Sequence, residues 1–499
     1  MRIKNNIVAN YIGHGLAAVS SIVFIPIYLG YLGIEAYGLI GVFAIFQAAL
    51  SLLDLGMVPT VNREVARYSA RSVAGGEIVD LVKTIEVLVL LLATISAGIV
   101  TLASNWLSTH WLTQSTLSAG DVAGSLALIG FVSSFRVVES IYKAVLIGLQ
   151  RQVRMNLVSS LLLVLRYVGA VAVLQFVAST ILAFFWWQAI VSLVSIVVTG
   201  YVAKRELPFS RYRASVRIQA LRSTWAFSGG ALVIAFLSIC LTQGDKLILS
   251  STMPLDSFGI YSVANSLVGI VPLMVWPISQ ALYPRFTELV TTGNAVELSN
   301  IYHKGSQLVS TVVAPCALAI IFFGQDIFDT WTGKPNQYES TGLLLALLGT
   351  GVSLNALMHL PYMMQLAHGR TSLVIKANAF SVAVLVPLLL VVVPVYGPIG
   401  AASVLIILNA FYVLVVAAIM HRTMLTGELG AWYVSDIGKP VGATILVFLV
   451  SSSNYDQGMD MLWKMVWIAA SIIVGGLSAA FASPILRRQL SELNKQHWR

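Results

Sequence analysis

Charged residues are scarce in this chain, and long uncharged stretches separate them. Asp, Glu, Lys and Arg make up 10% of the 499 residues, whereas 58% are hydrophobic. A soluble core does not need that much apolar surface, so the composition excludes an ordinary soluble protein. The only two cysteines, Cys240 and Cys316, both fall in apolar runs. We therefore expect both side chains to pack as small apolar residues, with no disulfide and no metal site.

Apolar runs of about 20 residues, long enough to cross a bilayer as helices, recur along the whole chain. They leave no segment long enough for a soluble domain. The sequence thus predicts an all-α polytopic membrane protein with about 14 transmembrane helices. Their centres lie near residues 19, 49, 94, 135, 167, 191, 238, 270, 315, 352, 383, 409, 446 and 472.

The basic residues follow the alternation of these spans. With a cytoplasmic N-terminus, 24 of the 30 Lys and Arg residues lie in segments on the inner side. The outer segments hold only Lys334 and Lys464. This bias predicts a multi-pass protein with both termini in the cytoplasm. We attribute the net charge of +9 to basic residues on the cytoplasmic side, beside anionic lipid headgroups. It does not indicate nucleic-acid binding.

An internal repeat divides the chain. LGIEAYGL at 32–39 resembles MPLDSFGI at 253–260, with an offset of 221 residues. The same offset brings NREVA (62–66) close to PRFTEL (284–289). Since six helices return the chain to the same side, the two halves are parallel repeats about an axis along the membrane normal.

The repeat predicts four parts. Residues 1–203 form an N-lobe of helices 1–6, and 204–222 form a basic cytoplasmic linker. Residues 223–422 form a C-lobe of helices 7–12, and 423–499 hold helices 13–14 and a cytoplasmic tail.

A few ionisable residues fall at membrane depth, where each costs roughly 2.5–3.5 kcal/mol and is a candidate functional residue. Arg136, Glu139 and Lys143 recur at i, i+3 and i+7 and share one face of helix 4. Arg166 on helix 5 lies at a depth similar to that of Arg136. Because one carboxylate cannot neutralise three cations, we interpret the group as the lining of a net-positive, water-filled cavity. The alternative is a structural cluster that joins helices.

Further candidates lie on other helices. Asp54 precedes Gly56 and Pro59, which loosen the backbone, and His14 lies at a comparable depth on helix 1. Asp245 and Lys246 lie in the outer half of helix 7. Adjacent helical positions differ by about 100°, so we expect each to have a partner on another helix. Alternatively, Lys246 extends toward the interface and pairs with Asp245.

These patterns resemble a known family. The opening NYIGHGLAAVSSIVFIPIYLGYLGIEAYGL, DLG at 54–56 with NRE at 62–64, and GDKLILS at 244–250 with SFGIYSVA at 257–264 are similar to bacterial O-antigen and capsule-unit flippases. These flippases belong to the multidrug/oligosaccharidyl-lipid/polysaccharide exporter superfamily, and the arrangement of six, six and two helices completes the resemblance.

The resemblance implies two six-helix bundles in a V within the bacterial cytoplasmic (inner) membrane. They would move an undecaprenyl-diphosphate-linked oligosaccharide to the outer leaflet by alternating access, beside membrane lipids and the glycan polymerase and chain-length machinery. Arg136, Lys143, Arg166 and Lys246 are then candidates for diphosphate binding. Asp54, Glu139, Asp245 and His14 are candidates for coupling or gating. No cofactor is implied beyond a coupling ion, H⁺ or Na⁺.

Three alternatives remain at this stage. A lipid II-type flippase would carry arginines at depth in helices 1 to 3, which this chain lacks. A multidrug/cation antiporter would have about 12 helices and an acidic first lobe. A membrane-embedded glycan polymerase or ligase would need catalytic residues in a large outward loop, but residues 104–120 offer His110 without a carboxylate or Arg.

Overall fold

A computed structural model describes the backbone of residues 2–54, 56–71, 75–114, 116–207, 214–216, 225–335, 337 and 341–488. It describes their side chains except at 2–12, 14, 70–71, 75, 225–231, 234 and 371. These residues form helices without any β-strand, and one isolated β-bridge joins Thr113 to Pro254. Contacts divide the chain into two units, Met1–Ser262 and Val263–Arg499.

The described residues of the first unit form seven helices and most of an eighth. They are α1 Arg2–Ser51, α2 Met57–Arg71, α3 Gly75–His110, α4 Ala119–Gly148, α5 Gln152–Phe176, α6 Ile181–Glu206, α7 Trp225–Thr252 and α8 Leu255–Val268. A short 3₁₀ turn, Leu52–Asp54, ends α1. The unit boundary falls within α8, after Ser262.

The second unit holds the remaining helices. They are α9 Ile270–Thr292, α10 Ala295–Thr332, α11 Thr341–Leu357, α12 His359–Ala367, α13 Thr371–Phe411, α14 Ala417–Met424, α15 Leu429–Ala431, α16 Lys439–Ser453 and α17 Met461–Ala482. Two π-helical segments, Tyr412–Val416 and Trp432–Gly438, connect α13 to α14 and α15 to α16.

Eleven helical segments of the described chain are long and apolar enough to cross a membrane. Two of them, Gly15–Asp54 and Ser372–Met424, have the length of two spans each. The first bends at Gly33 (φ 80°, ψ 174°) and the second at Gly397 (φ 55°, ψ −137°). All 14 predicted centres fall within helices, which confirms the all-α polytopic membrane fold.

The core of the first unit lies where α2, α3, α4 and α6 meet. Val61, Val82, Ile85 and Val145 are fully or almost fully buried there. By contrast, Leu102 on α3 is exposed. An apolar exterior around an apolar core is what a bilayer requires, because lipid tails are as apolar as the side chains.

The start of α8 belongs to the first unit because it packs closely on α1. A Cβ atom at Gly41 of α1 would lie 2.3 Å from the Ser262 hydroxyl and 2.9 Å from the Phe258 ring. Only glycine permits this approach. The predicted lobes, 1–203 and 223–422, stay a prediction, and most of the predicted linker 204–222 lies outside the described residues.

In the second unit, α10 packs against α16 and α17. Phe323 of α10, Phe448 of α16 and Ile468 of α17 share one apolar cluster. Thr444 of α16 donates to the Gly475 carbonyl of α17 at 3.4 Å. The helices predicted to follow the repeat, 13 and 14, are thus packed into this unit by apolar and polar contacts.

Candidate functional site

Arg136 lies on α4 and contacts the second half of α1. Its Nη1 donates a hydrogen bond to Gln47 Oε1, and its Cζ lies 4.9 Å from the centre of the Phe43 ring. Both partners are neutral, so Arg136 keeps its positive charge without an ion pair among the described residues. Gln47 is not among the residues predicted from the sequence, although a lone amide in the apolar run GVFAIFQAALSLL is a signal that could have identified it.

Two guanidinium nitrogens in this unit are buried and have no hydrogen-bond partner among the described residues. They are Nε of Arg136 on α4 and Nη1 of Arg166 on α5. A buried N–H group without an acceptor costs roughly 1–3 kcal/mol, and more when charged. Tyr167, which follows Arg166, lies within electrostatic range of Arg136. Both arginines therefore offer donors to an anion at membrane depth.

Lys143 and Glu139 form an ion pair within α4. Lys143 Nζ lies 2.7 Å from Glu139 Oε1, and the Glu139 side chain is buried. The carboxylate therefore neutralises Lys143, four residues away, while Arg136 binds Gln47. As a result, Lys143 is a weaker candidate for anion binding than either arginine.

Other cations of the first unit contrast with these arginines because half-buried or buried carboxylates hold them. Glu86 accepts from Lys204 at 2.7 Å and from the Tyr142 hydroxyl at 2.8 Å. Glu206 pairs with Arg151 at 2.9 Å and also with Arg154. Three cations predicted to face the cytoplasm are thus paired with carboxylates of the same unit, namely Arg151, Arg154 and Lys204.

Asp54 lies at the break between α1 and α2. Its Oδ1 accepts the Gly56 N–H at 2.8 Å, and Gly56 has a φ of 75°. The carboxylate caps a chain reversal, and it forms no ion pair among the described residues. His14 lies within α1, but its side chain is outside the described residues, so the structure does not test its proposed role.

Asp245 and Lys246 of α7 have different partners. Asp245 Oδ2 accepts the hydroxyl of the buried Tyr261 on α8 at 2.5 Å, while its Oδ1 is buried without a partner among the described residues. The expected partner on another helix is therefore present for Asp245. For Lys246 this expectation is wrong, because its Nζ donates to the Thr242 carbonyl of α7 itself at 2.9 Å. A flexible lysine reaches one turn back and satisfies a carbonyl.

The described residues contain no group of three or more His, Cys, Asp or Glu side chains that could hold a metal ion. The candidate residues with described side chains are cations and carboxylates on α4, α5 and α7 and in the 3₁₀ turn after α1.

Comparisons with known proteins give both a family and a fold. A family model described as "Polysaccharide biosynthesis protein" matches residues 3–290. A Shigella flexneri protein provisionally named an O-antigen transporter is 21% identical over 420 residues, which are 82% of this chain and 96% of that protein.

Solved structures share the fold at low identity. The lipid II flippase MurJ in an inward closed conformation matches with a TM-score of 0.71 and 14% identity, over 97% of this chain and 99% of that one. An inward-facing multidrug resistance transporter of the MATE family and MOP superfamily matches with a TM-score of 0.65 and 11% identity, over 87% and 99% of the two chains.

Proposed function

Because the chain belongs to the polysaccharide biosynthesis protein family, we propose that it is a flippase for an undecaprenyl-diphosphate-linked oligosaccharide repeat unit. It carries the unit from the inner to the outer leaflet of the bacterial cytoplasmic membrane by alternating access. The observation that carries this proposal is the pair of unpartnered guanidinium nitrogens on Arg136 and Arg166. The likeness to an O-antigen transporter supports the same class of cargo.

The diphosphate is the part of the cargo that these arginines suit. A guanidinium presents a planar fork of donors that can bind phosphate oxygens through two parallel hydrogen bonds, and it stays charged at all relevant pH values. Arg136 is oriented by Gln47 and Phe43, which contribute no negative charge to compete with the ligand. Lys246, whose Nζ donates one hydrogen bond within its own helix, adds a further positive charge.

The polyprenyl tail stays in lipid during the passage of the headgroup. Helices α16 and α17 suit this role, since Leu446, Val450 and Leu462 expose large apolar side chains on them. A cavity of about 610 Å³ beside the start of α17 is lined by Trp463, Trp467 and their neighbours. In this proposal the tail and the glycan occupy separate environments, one apolar and one aqueous.

Coupling to an H⁺ or Na⁺ gradient is part of the proposal. Asp245 has one carboxylate oxygen without a hydrogen-bond donor among the described residues, and Asp54 lies at a helix break where the backbone can rearrange. We place both termini in the cytoplasm. The glycan polymerase and chain-length machinery would take over the product on the opposite side of the membrane.

Complementation of a strain that lacks its own flippase tests the function. Expression of this chain should restore surface glycan, scored by gel and by antibody against the glycan. A parallel strain depleted of its lipid II flippase should not regain growth. Growth rescue in the second strain without glycan in the first would replace the oligosaccharide cargo by lipid II.

A further inference from the structure

His303 of α10, in the second unit, lies between two carboxylates. Its Nδ1 is 2.5 Å from Asp436 Oδ2, and its Nε2 is 3.0 Å from Glu428 Oε2. Asp436 belongs to the π-helical segment Trp432–Gly438, and Glu428 precedes α15. None of these three residues was selected from the sequence, because 125 or more positions separate His303 from either carboxylate.

Other donors occupy the outward oxygens of both carboxylates. Gln307 donates from Nε2 to Asp436 Oδ1 at 2.9 Å, and its own Oε1 accepts the Ile485 N–H at 2.9 Å. Ser299 donates to Glu428 Oε1 at 2.9 Å. Each inward oxygen therefore depends on the imidazole for its hydrogen bond.

The two contacts of His303 need more protons than a neutral imidazole has. A neutral imidazole has one N–H group and can donate to one carboxylate only, whereas both nitrogens lie within hydrogen-bond distance of an oxygen. Satisfying both contacts takes one more proton, held on the imidazole or on a carboxyl group. We propose that His303, Asp436 and Glu428 form a proton-binding site that takes up and releases one proton.

Solvent access is graded across the three residues. The Glu428 side chain is 35% exposed, that of His303 11% and that of Asp436 1%. A proton can thus enter at Glu428 and pass through the imidazole to a carboxylate that is fully buried. The π-helical geometry around Asp436 is of a kind that often occurs at functional sites.

The neighbouring ionisable groups do not supply that proton. His421 of α14 donates from Nδ1 to the Ala417 carbonyl at 2.7 Å, so its Nε2 accepts the Tyr302 hydroxyl at 3.2 Å. This is the pattern of a neutral histidine. Lys304 points to solvent, and no Lys or Arg pairs with Asp436 or Glu428 in the described part of the chain.

The proton links two elements of the second unit. His303 is on α10, whereas Asp436 lies one turn before α16, so the bound proton adds a hydrogen bond between them. The proton site itself does not depend on the proposed function. Its use as the coupling site of transport does, and the test below therefore measures proton binding on the purified protein.

Potentiometric titration and thermal unfolding of the purified protein in detergent test the site. The variants are His303→Gln, Glu428→Gln and, as a matched control, His421→Gln. Between about pH 6 and 9, wild type should release about one proton more than His303→Gln. Its unfolding temperature should fall as the pH rises through this range, because the folded cluster binds a proton that the unfolded histidine loses above about pH 6.5.

His303→Gln should reduce this pH dependence by about half or more, whereas His421→Gln should retain it. An unchanged proton release in His303→Gln overturns the proposal, and so does an equal loss in His421→Gln. If His303→Gln does not fold, Glu428→Gln decides the matter. That variant keeps the Ser299 contact. If the three residues bind a proton, Glu428→Gln should change the pH at which the protein releases it. If the network is purely structural, that pH should stay the same.

Discussion

Gly38 lies against the main chain of Leu255, and a Cβ atom at position 38 would come within 2.4 Å of the Leu255 carbonyl oxygen. The converse contact also exists, since a Cβ atom at Gly259 would come within 2.2 Å of the Ile34 carbonyl oxygen. The offset of 221 exchanges the two contacts, because 34 falls on 255 and 38 on 259. Mutual exchange of this kind is typical of segments related by a two-fold axis.

We expect Gly38→Ala and Gly259→Ala to lower the amount of protein in the membrane by similar factors. In each case the new methyl group meets a backbone carbonyl that cannot rotate away, and overpacking of this kind typically costs about 1–3 kcal/mol. Gly98→Ala on α3 is the control, since no atom lies within 4 Å of its added Cβ. Normal abundance of both variants would show that the two segments are not in contact in the membrane.

Arg136→Ala and Arg166→Ala should each abolish surface glycan while the protein still reaches the membrane. Lysine at either position should restore part of the activity, because it retains the charge but lacks the two-pronged donor geometry. The control is Arg63→Ala, which removes an exposed cation that pairs with Glu64 at 2.9 Å. Full export by Arg136→Ala at wild-type abundance would refute its role in binding the diphosphate.

The ion pair of Glu139 and Lys143 predicts that a single variant is less abundant in the membrane than the double variant. Lys143→Met alone leaves a buried carboxylate without its partner and should reduce membrane abundance strongly. The double variant Glu139→Gln, Lys143→Met should recover much of that abundance, since it leaves no buried carboxylate without a partner. Quantitative immunoblotting of membranes measures both. Normal abundance but lost export in the double variant would instead make Lys143 a cargo residue.

The sequence was sufficient for the class of fold, the span centres and the family, because each depends on apolar length or on local motif. The family resemblance is confirmed by the match of the polysaccharide biosynthesis protein model to residues 3–290. Partners across helices were not predictable. Gln47 and Arg136 are 89 positions apart, and only the packing of α1 on α4 brings them together. The cluster around His303 likewise depends on where α16 packs, and the repeat does not cover that helix.

Glu428 lies between two spanning segments, and its ionisation should affect stability. Partial burial alone would raise its pKa, but hydrogen bonds from Ser299 and His303 hold the pKa of Glu428 below its ordinary value. A depressed pKa means that the carboxylate stabilises the fold above its unfolded pKa of about 4.3, and that this contribution is lost as the pH falls through the folded pKa.

Ser299→Ala should therefore lower the unfolding temperature near about pH 7, and this effect should disappear as the pH falls below the depressed folded pKa of Glu428, where the carboxyl group is protonated. Differential scanning fluorimetry of the purified protein across this range measures the difference. Ser403→Ala serves as the control, because its hydroxyl binds only the Ile399 carbonyl in its own helix. An equal loss at both pH values would mean that Ser299 acts through packing.

Asp245 accepts a hydrogen bond from Tyr261, and this contact predicts how variants of Asp245 and Lys246 behave. Because Tyr261 is fully buried on α8 and donates to Asp245 on α7, the carboxylate joins two helices, while Lys246 bonds within its own helix. Lys246→Met should then reduce export only in part and leave abundance unchanged.

Asp245→Asn keeps the size of the side chain and the Tyr261 contact but cannot ionise. If Asp245 exchanges a coupling ion through its free oxygen, this variant should reach the membrane normally and lose export, and the loss should depend on external pH or sodium. Tyr261→Phe is the matched control for the hydrogen bond alone, and it should lower abundance without changing the ion dependence. Normal export by the double variant Asp245→Asn, Lys246→Met would contradict any role for this pair in gating or coupling.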